Sequence, residues 1–569
     1  RIFARDIGPL PLPNASNTHG PTCGSVSEMS TQPRTASAID QIAEDYMSQL
    51  ASLDPFGATA LGIKGYDHLV TDYSPAGLDA GIDLARTTLD RLDAVNVTDE
   101  IDRVTVAAMR ERLGLDIEVH ESGWSYADLN VIASPLQEIR EIFDIAPTAT
   151  PEDWQHIAAR LALIPQSLES YTLSLRYGAS IDRVAAVRQV VEGIKQAEEL
   201  ANPTTSFYVS FVGSEEAAAA VDALGPDLRT QLDAGAQAAA AAYGRIGQFL
   251  SDELEPQAPE ADACGRERYE LSSRAFLGAE WGLKELAAIV AEQQSIAEQL
   301  CGPGASVEDA VAKLDADPAL TLHGTDELKA WMQETSDAAI AALNGVHFDI
   351  PEPVLELECM IAPTQSGGIY YTPPTDDFSR PGRMWWSVPA SVTTFNTWRE
   401  LTTVYHEGVP GHHLQCGQAV YLRSELNMWR RLGCWVSGHG EGWALYSERL
   451  MADLGFMDNL GDRLGMLDGQ RLRAARVVLD IGVHLSKPCP EEWGGGIWDA
   501  DKAWEFLKAN VNMPEDFVRF ELNRYLGWPG QAPSYKVGQR LWEQIRDDAA
   551  TKAVDAGQEF DLKAFHARA

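Results

Sequence analysis

The sequence predicts a mainly α-helical protein with one small antiparallel β-sheet, and three observations lead there. From Ala36 onward, apolar residues recur at helical spacing. One of these segments opens on an N-cap residue followed by proline. Only the stretch 354–388 breaks into short β-prone runs punctuated by Gly and Pro.

In chain order, "SAIDQIAEDYMSQLASLDP" places Ile39, Ile42, Tyr46 and Leu50 on one helical face. "TPEDWQHIAARLALIPQSL" opens with Thr150 as N-cap and Pro151 at the first helical position. Segments 182–200, 215–224, 227–250 and 306–314 also read as helices, and the alanine run 238–242 is a strong helix former. "VLELECMIAP", "GGIYYTPP" and "GRMWWSVP" then read as the small sheet. Helical patterning returns in "NTWRELTTVYHE", with Asn396 as candidate N-cap, and in "EGWALYSERLMADLG". There Trp443, Tyr446, Leu450, Met451 and Leu454 form a stripe expected to pack in a core.

Residues 1–28 are rich in Pro, Gly, Ser, Thr and Asn and read as a flexible tail, with Met29 a candidate true start. Residues 29–569 show no repeat and no internal linker, so they read as a single unit. A net charge of −39 argues against a nucleic-acid or anionic-membrane partner, since both need clustered positive charge. An acidic surface gives solubility and mildly favours cationic substrates. No apolar run is long enough to span a membrane. The seven cysteines are sparse and lack a C-x-x-C pair, which points to a reducing compartment and a cytoplasmic protein. Nothing in the sequence fixes an oligomeric state.

The chemistry concentrates in "VYHEGVPGHHLQCG". In zinc hydrolases two histidines on one helix face grip the metal, and the glutamate after the first polarises the bound water; the usual form is H-E-x-x-H. Here Pro410 stands four residues after His406, and the next histidines are His412 and His413. On a regular helix the first of these points roughly 120° away and the second lies about 10 Å along the axis. Pro410 and Gly411 offer a remedy, because proline removes a helical hydrogen bond and glycine tolerates unusual backbone angles. A bulge absorbing two residues returns His412 to the ligand position, which makes His412 preferred over His413 as the partner of His406. His413 then faces substrate or supports a ligand. Glu441, at a helix start preceded by Gly438 and Gly440, is the candidate third ligand. Glu448, two turns on along the same face, would hold a ligand histidine by a hydrogen bond.

"HEGVPGHH" and "EGWALYSE" resemble the bacterial domain of unknown function 885 family, as do "YYTPPTDDFSRPGRMWW" and "RYLGWPGQAPSYKVG". That family is regarded as related to helical, gluzincin-type zinc peptidases whose third ligand is glutamate. The resemblance implies a helical metallopeptidase-like unit with its zinc site within 400–450.

Hydrolysis of a peptide needs a base, an oxyanion donor and anchoring groups. Glu407 is the candidate base. Tyr535, presented by a Pro529-Gly530-Gln531 turn, is the first candidate oxyanion donor and Tyr371 the second. Arg380, Arg524 and Lys536 are candidates for a substrate carboxylate. The expected activity is zinc-dependent hydrolysis of short peptides, carboxypeptidase- or dipeptidase-like, with one zinc per chain and a peptide or small amide as partner. Two other readings stay open: a zinc hydrolase of a non-peptide amide or ester, and a non-catalytic helical binding protein with a degenerate site. The tail reading is tested directly: a chain starting at Met29 should melt within a few degrees of the full chain and keep its activity, and a larger loss would show that residues 1–28 pack on the body.

Overall fold

Helix starts follow their sequence signals. Ser37 Oγ accepts from the Asp40 N–H at 3.1 Å and Asp40 Oδ2 accepts from the Ser37 N–H at 2.8 Å, a reciprocal cap that opens Ala38–Leu53. Thr150 and Asp153 make the same exchange ahead of Pro151–Ser180, where Pro151 occupies the turn in which no N–H is missed. That long helix and Pro226–Phe249 supply much of one core, including Leu161, Leu168, Leu232 and Tyr243. The helix expected from residue 182 starts later, at Val187. Asp182 takes a left-handed φ of 58° and the Arg183 N–H donates back to the Gly178 carbonyl at 2.9 Å, so the chain must turn before it can coil again.

The computed structural model describes residues 34–568 apart from 205, 273, 275–278, 363–367 and 390, so the 1–28 tail lies outside the described residues. Among these residues the strands are few. β1 (Thr321–His323) pairs antiparallel with β5 (Thr394–Asn396). A second sheet holds β2 (Leu357–Ile361), β3 (Ile369–Thr372) and β4 (Gly382–Trp386) in the order β2-β4-β3. Its β3–β4 pair is antiparallel as expected, whereas β2 joins β4 in parallel. The chain reverses between β2 and β3 and again before β4, so a β4 lying between them must run with β2.

The larger core belongs to the C-terminal half. It gathers the Thr397 helix (Thr397–Glu407), the Ser437 helix (Ser437–Asp453), the Leu460 helix (Leu460–His484) and the Ser534 helix (Ser534–Asp555). The Trp443, Tyr446, Leu450 and Met451 stripe is buried there, with Leu454 partly so. Glycines set the helix spacing. A Cβ on Gly465 would lie 2.0 Å from the Trp398 carbonyl oxygen, and one on Gly538 would lie 2.0 Å from that of Gly438. The Ser437 and Ser534 helices therefore meet backbone to backbone, with a 2.8 Å bond between the Ser437 and Ser534 hydroxyls at the contact. Asn396 does precede the Thr397 helix, but its amide donates to Asp315 at 2.7 Å instead of capping it.

At the end of the Leu460 helix, His484 is buried with both ring nitrogens engaged. Nδ1 accepts from the Cys264 N–H at 3.4 Å and Nε2–H donates to the Tyr525 carbonyl at 2.9 Å. Burial pushes its pKa down to about 4, which keeps the ring neutral. The unfolded chain takes up this proton near pH 6.5, so the contribution is complete above that value and is lost as pH falls towards 4. Denaturant unfolding should show stability declining by up to ~3 kcal/mol per such histidine across this window. His484→Gln should flatten that slope relative to wild type.

Candidate metal centre

The Thr397 helix ends on His406-Glu407, and the chain then makes a turn rather than a bulge. Gly408 donates to the Val404 carbonyl at 2.9 Å, the Val409–Pro410 peptide is cis, and the Gly411 N–H returns to the Tyr405 carbonyl at 3.1 Å. A fresh helix, His412–Tyr421, starts at once. Gly411 passes so close to the finished helix that a Cβ there would sit 1.9 Å from the His406 carbonyl oxygen. The turn is tied down by the Trp443 indole, whose Nε1–H donates to the Pro410 carbonyl at 2.8 Å. The result brings the His406 and His412 rings to a centroid separation of 5.0 Å at 89°. Ligand atoms of buried His406, Glu407 and His412 all lie within 4.8 Å of one another.

Glu441 completes the group from the Ser437 helix. Its Oε2 lies 3.4 Å from His406 Nε2 and 3.4 Å from His412 Nε2. Tetrahedral zinc with ligands at about 2.0–2.1 Å places adjacent ligand atoms roughly 3.4 Å apart, so the spacing fits such an ion. Behind His406, Nδ1 is 2.7 Å from Glu448 Oε1, and Thr402 Oγ1 donates to Glu448 Oε2 at 2.7 Å. A carboxylate only accepts, so Nδ1 carries a proton towards Glu448, and Nε2 faces Glu441 with a proton of its own unless a cation takes its place. The electrostatics favour positive charge on His406. Burial disfavours a charged His406, yet its bonds to Glu441 and Glu448 outweigh this and take its pKa up to about 10. Burial would raise Glu441, but the two histidines hold its carboxyl well below the usual range. Burial pushes the Glu407 carboxyl up.

His413 is committed elsewhere. Its Nε2 is 2.9 Å from the Val354 carbonyl, which can only accept, so Nδ1 is bare and accepts from the Tyr371 hydroxyl at 2.9 Å. Burial lowers its pKa to about 4. The fit depends on Gly382, where a Cβ would come within 2.2 Å of the Tyr371 oxygen and 2.5 Å of His413 Nδ1. Tyr371 is thereby turned to His413.

On the other side, the Tyr535 ring stacks near His406 with centroids 6.3 Å apart, and its hydroxyl accepts from Arg524 Nη2 at 3.0 Å. The turn before it is anchored where the Gly530 N–H donates to Asp480 at 3.0 Å. Two other sequence candidates face different partners. Lys536 is buried with Nζ donating to Gln470 at 2.6 Å and Gln539 at 2.9 Å, and paired with Glu285 at 3.0 Å. Arg380 donates to the Pro373 carbonyl at 3.1 Å within its own loop. Three residues went unremarked in the sequence. Arg473 and Arg476, one helical turn apart in "RLRAARVV", both lie over the Tyr535 ring. Trp435, half exposed, stands 6.0 Å from the His412 ring. The i, i+3 arginine spacing was the available signal for the first two.

A family model described as "Bacterial protein of unknown function (DUF885)" matches residues 55–569. The chain belongs to this family. No curated protein matches it. Among solved structures, a "putative lipoprotein" from Colwellia psychrerythraea aligns with a TM-score of 0.79 and 21% identity, covering 93% of this chain and 94% of that one. One of unknown function from Shewanella oneidensis, described likewise, aligns at 0.64 and 15% over 93% and 96%. These two share the fold of this DUF885 chain. A Pyrococcus furiosus carboxypeptidase described as apo-Mg aligns at only 0.33 and 13% over 94% and 92%, too distant to bear on the fold. No helix among the described residues is long and apolar enough to cross a membrane, and the six described cysteines are free.

The turn yields a direct test in this family member. Gly411→Ala should destabilise the fold by about 1–3 kcal/mol in denaturant unfolding, because either the added methyl or the His406 carbonyl must move. Wild-type stability in this variant would show that the close approach is not required.

Proposed function

We propose that this DUF885 protein is a zinc-dependent hydrolase of short peptides, carboxypeptidase- or dipeptidase-like, with one zinc per chain held by His406, His412 and Glu441. The observation that carries the reading is the 3.4 Å spacing of Glu441 Oε2 from both His406 Nε2 and His412 Nε2. When bound, zinc supplies Lewis acidity to water and to the substrate carbonyl. The chain's own residues do the rest. Glu407 takes a proton from the attacking water and returns it to the leaving nitrogen. Tyr535 donates its hydroxyl hydrogen to the oxygen that gains charge. Tyr371 is less suited to that task, because its proton is directed at His413. Glu448 fixes the His406 tautomer. A peptide fits better than an isolated amide because β3, which carries Tyr371, is an edge strand of its sheet, the position at which an extended chain can pair. A cytoplasmic setting rests on the free cysteines alone.

Metal analysis and turnover on the same preparations test this. Wild type and His413→Ala should retain about one zinc per chain, while His406→Ala, His412→Ala and Glu441→Ala should lose it. Protein that takes up no transition metal even when zinc is supplied rules the reading out. Glu407→Gln keeps the shape but cannot accept the proton. It should retain zinc and lose at least ~10²-fold in turnover. Near-normal turnover would assign the base to another residue, and loss of zinc would make Glu407 a ligand.

A further inference from the structure

Beside the metal centre lies a patch of charge opposite to that of the molecule as a whole. Arg473, Arg476 and Arg524 converge on Tyr535: the first two guanidinium carbons lie 6.0 and 4.7 Å from its ring centroid, and Arg524 Nη2 is 3.0 Å from its hydroxyl. Glu521 pairs with Arg476 at 2.8 Å and with Arg524 at 3.5 Å. Tyr525 takes the Arg476 Nε–H at 2.6 Å, and Gln531 takes Arg524 Nη2 at 3.1 Å. Each arginine still keeps one buried nitrogen without a hydrogen-bond partner among the described residues: Nε of Arg473, Nη1 of Arg476 and Nε of Arg524. Arg476 is only 4% exposed, so water does not readily serve its free donor.

The charges agree with the hydrogen bonds. Arg473 lies within electrostatic reach of Glu407, Glu448 and Glu521. With a divalent ion in the proposed site, three guanidinium groups and that ion face the carboxylates of Glu407, Glu441, Glu448 and Glu521, which leaves one positive charge over. In a chain of net charge −39 this is a local reversal, and it bears on a substrate that the overall charge would have been read to repel. Arginine suits planar, bidentate contact with a carboxylate better than lysine does.

We infer that Arg473, Arg476 and Arg524 form a carboxylate-binding subsite beside Tyr535, so the substrate carries a carboxylate close to the bond that is cut. This deepens the hydrolase reading and rests on it for the position of that bond. The carboxylate comes either from a free peptide C-terminus or from an acidic side chain. Lys536 and Arg380 take no part.

The test is calorimetric binding to Glu407→Gln protein, chosen to prevent turnover, with zinc content measured on the same sample. The probes are acetyl-Ala-Ala-Ala as free acid, its C-terminal amide, and acetyl-Ala-Ala-Glu amide. The free acid, the Glu amide or both should bind at least ~10-fold more tightly than the plain amide. A preference for the acid alone assigns the terminus, and one for the Glu amide assigns a side chain. Adding Arg524→Gln or Arg473→Gln separately should abolish the preference; using two variants keeps the test intact if one fails to fold. Equal affinity for all three probes, no binding of any, or a preference that survives both substitutions overturns the subsite. Zinc-free protein that still prefers the carboxylate keeps the subsite and removes the metallohydrolase reading.

Discussion

The hydrogen bond from the Trp443 indole to the Pro410 carbonyl is the contact on which the rest of the site depends. Pro410 belongs to the turn that brings His412 back to His406, and Trp443 stands two residues after Glu441 on the Ser437 helix. This bond, joined by one from the Ser447 hydroxyl to the same carbonyl at 3.4 Å, ties together the segments that carry two histidines and a glutamate from three separate helices. The turn is a demanding piece of backbone, with Gly411 pressed against the carbonyl end of the preceding helix. A buried bond across it holds the pieces in register more firmly than three independent surface loops would.

Three carboxylates in one buried pocket are unfavourable unless something offsets their charge. Here the compensation is layered. His406 lies between Glu441 and Glu448, and Thr402 takes the second oxygen of Glu448. Arg473, further out, faces Glu407 and Glu448. The same arginine belongs to the guanidinium cluster around Tyr535, so the acidic and basic halves of the site share a boundary residue. Changing the charge of either half alters the field felt by the other.

Much of this was legible in the sequence because it depends on local chemistry. Thr150-Pro151 marks a helix start by itself, and the Trp443 to Met451 stripe marks a buried face by spacing alone. The preference for His412 over His413 followed from counting residues between candidate ligands; the structure sets the His412 ring beside His406, and His413 bonds to Tyr371 and Val354. What failed was decided by distant partners. A bulge and a broken helix give the same residue count, and only the docking of Pro410 on Trp443 distinguishes them. Asn396 looks like a cap until Asp315 claims its amide. Lys536 looks like an anchor until Gln470, Gln539 and Glu285 surround it. Arg473 and Arg476 went unremarked because nothing in their own segment announces Tyr535, which lies on another helix.

The glycine contact between the Ser437 and Ser534 helices has a consequence for access. A Cβ on Gly442 would lie 2.5 Å from the Gly538 Cα, so no side chain separates the two backbones at that crossing. A hinge that works by side-chain rotation has nothing to rotate there. Glu441 and Tyr535 ride on these two helices, and their separation is a property of the scaffold. Any breathing of the molecule then carries both helices as one block and leaves the spacing of Glu441 and Tyr535 unchanged.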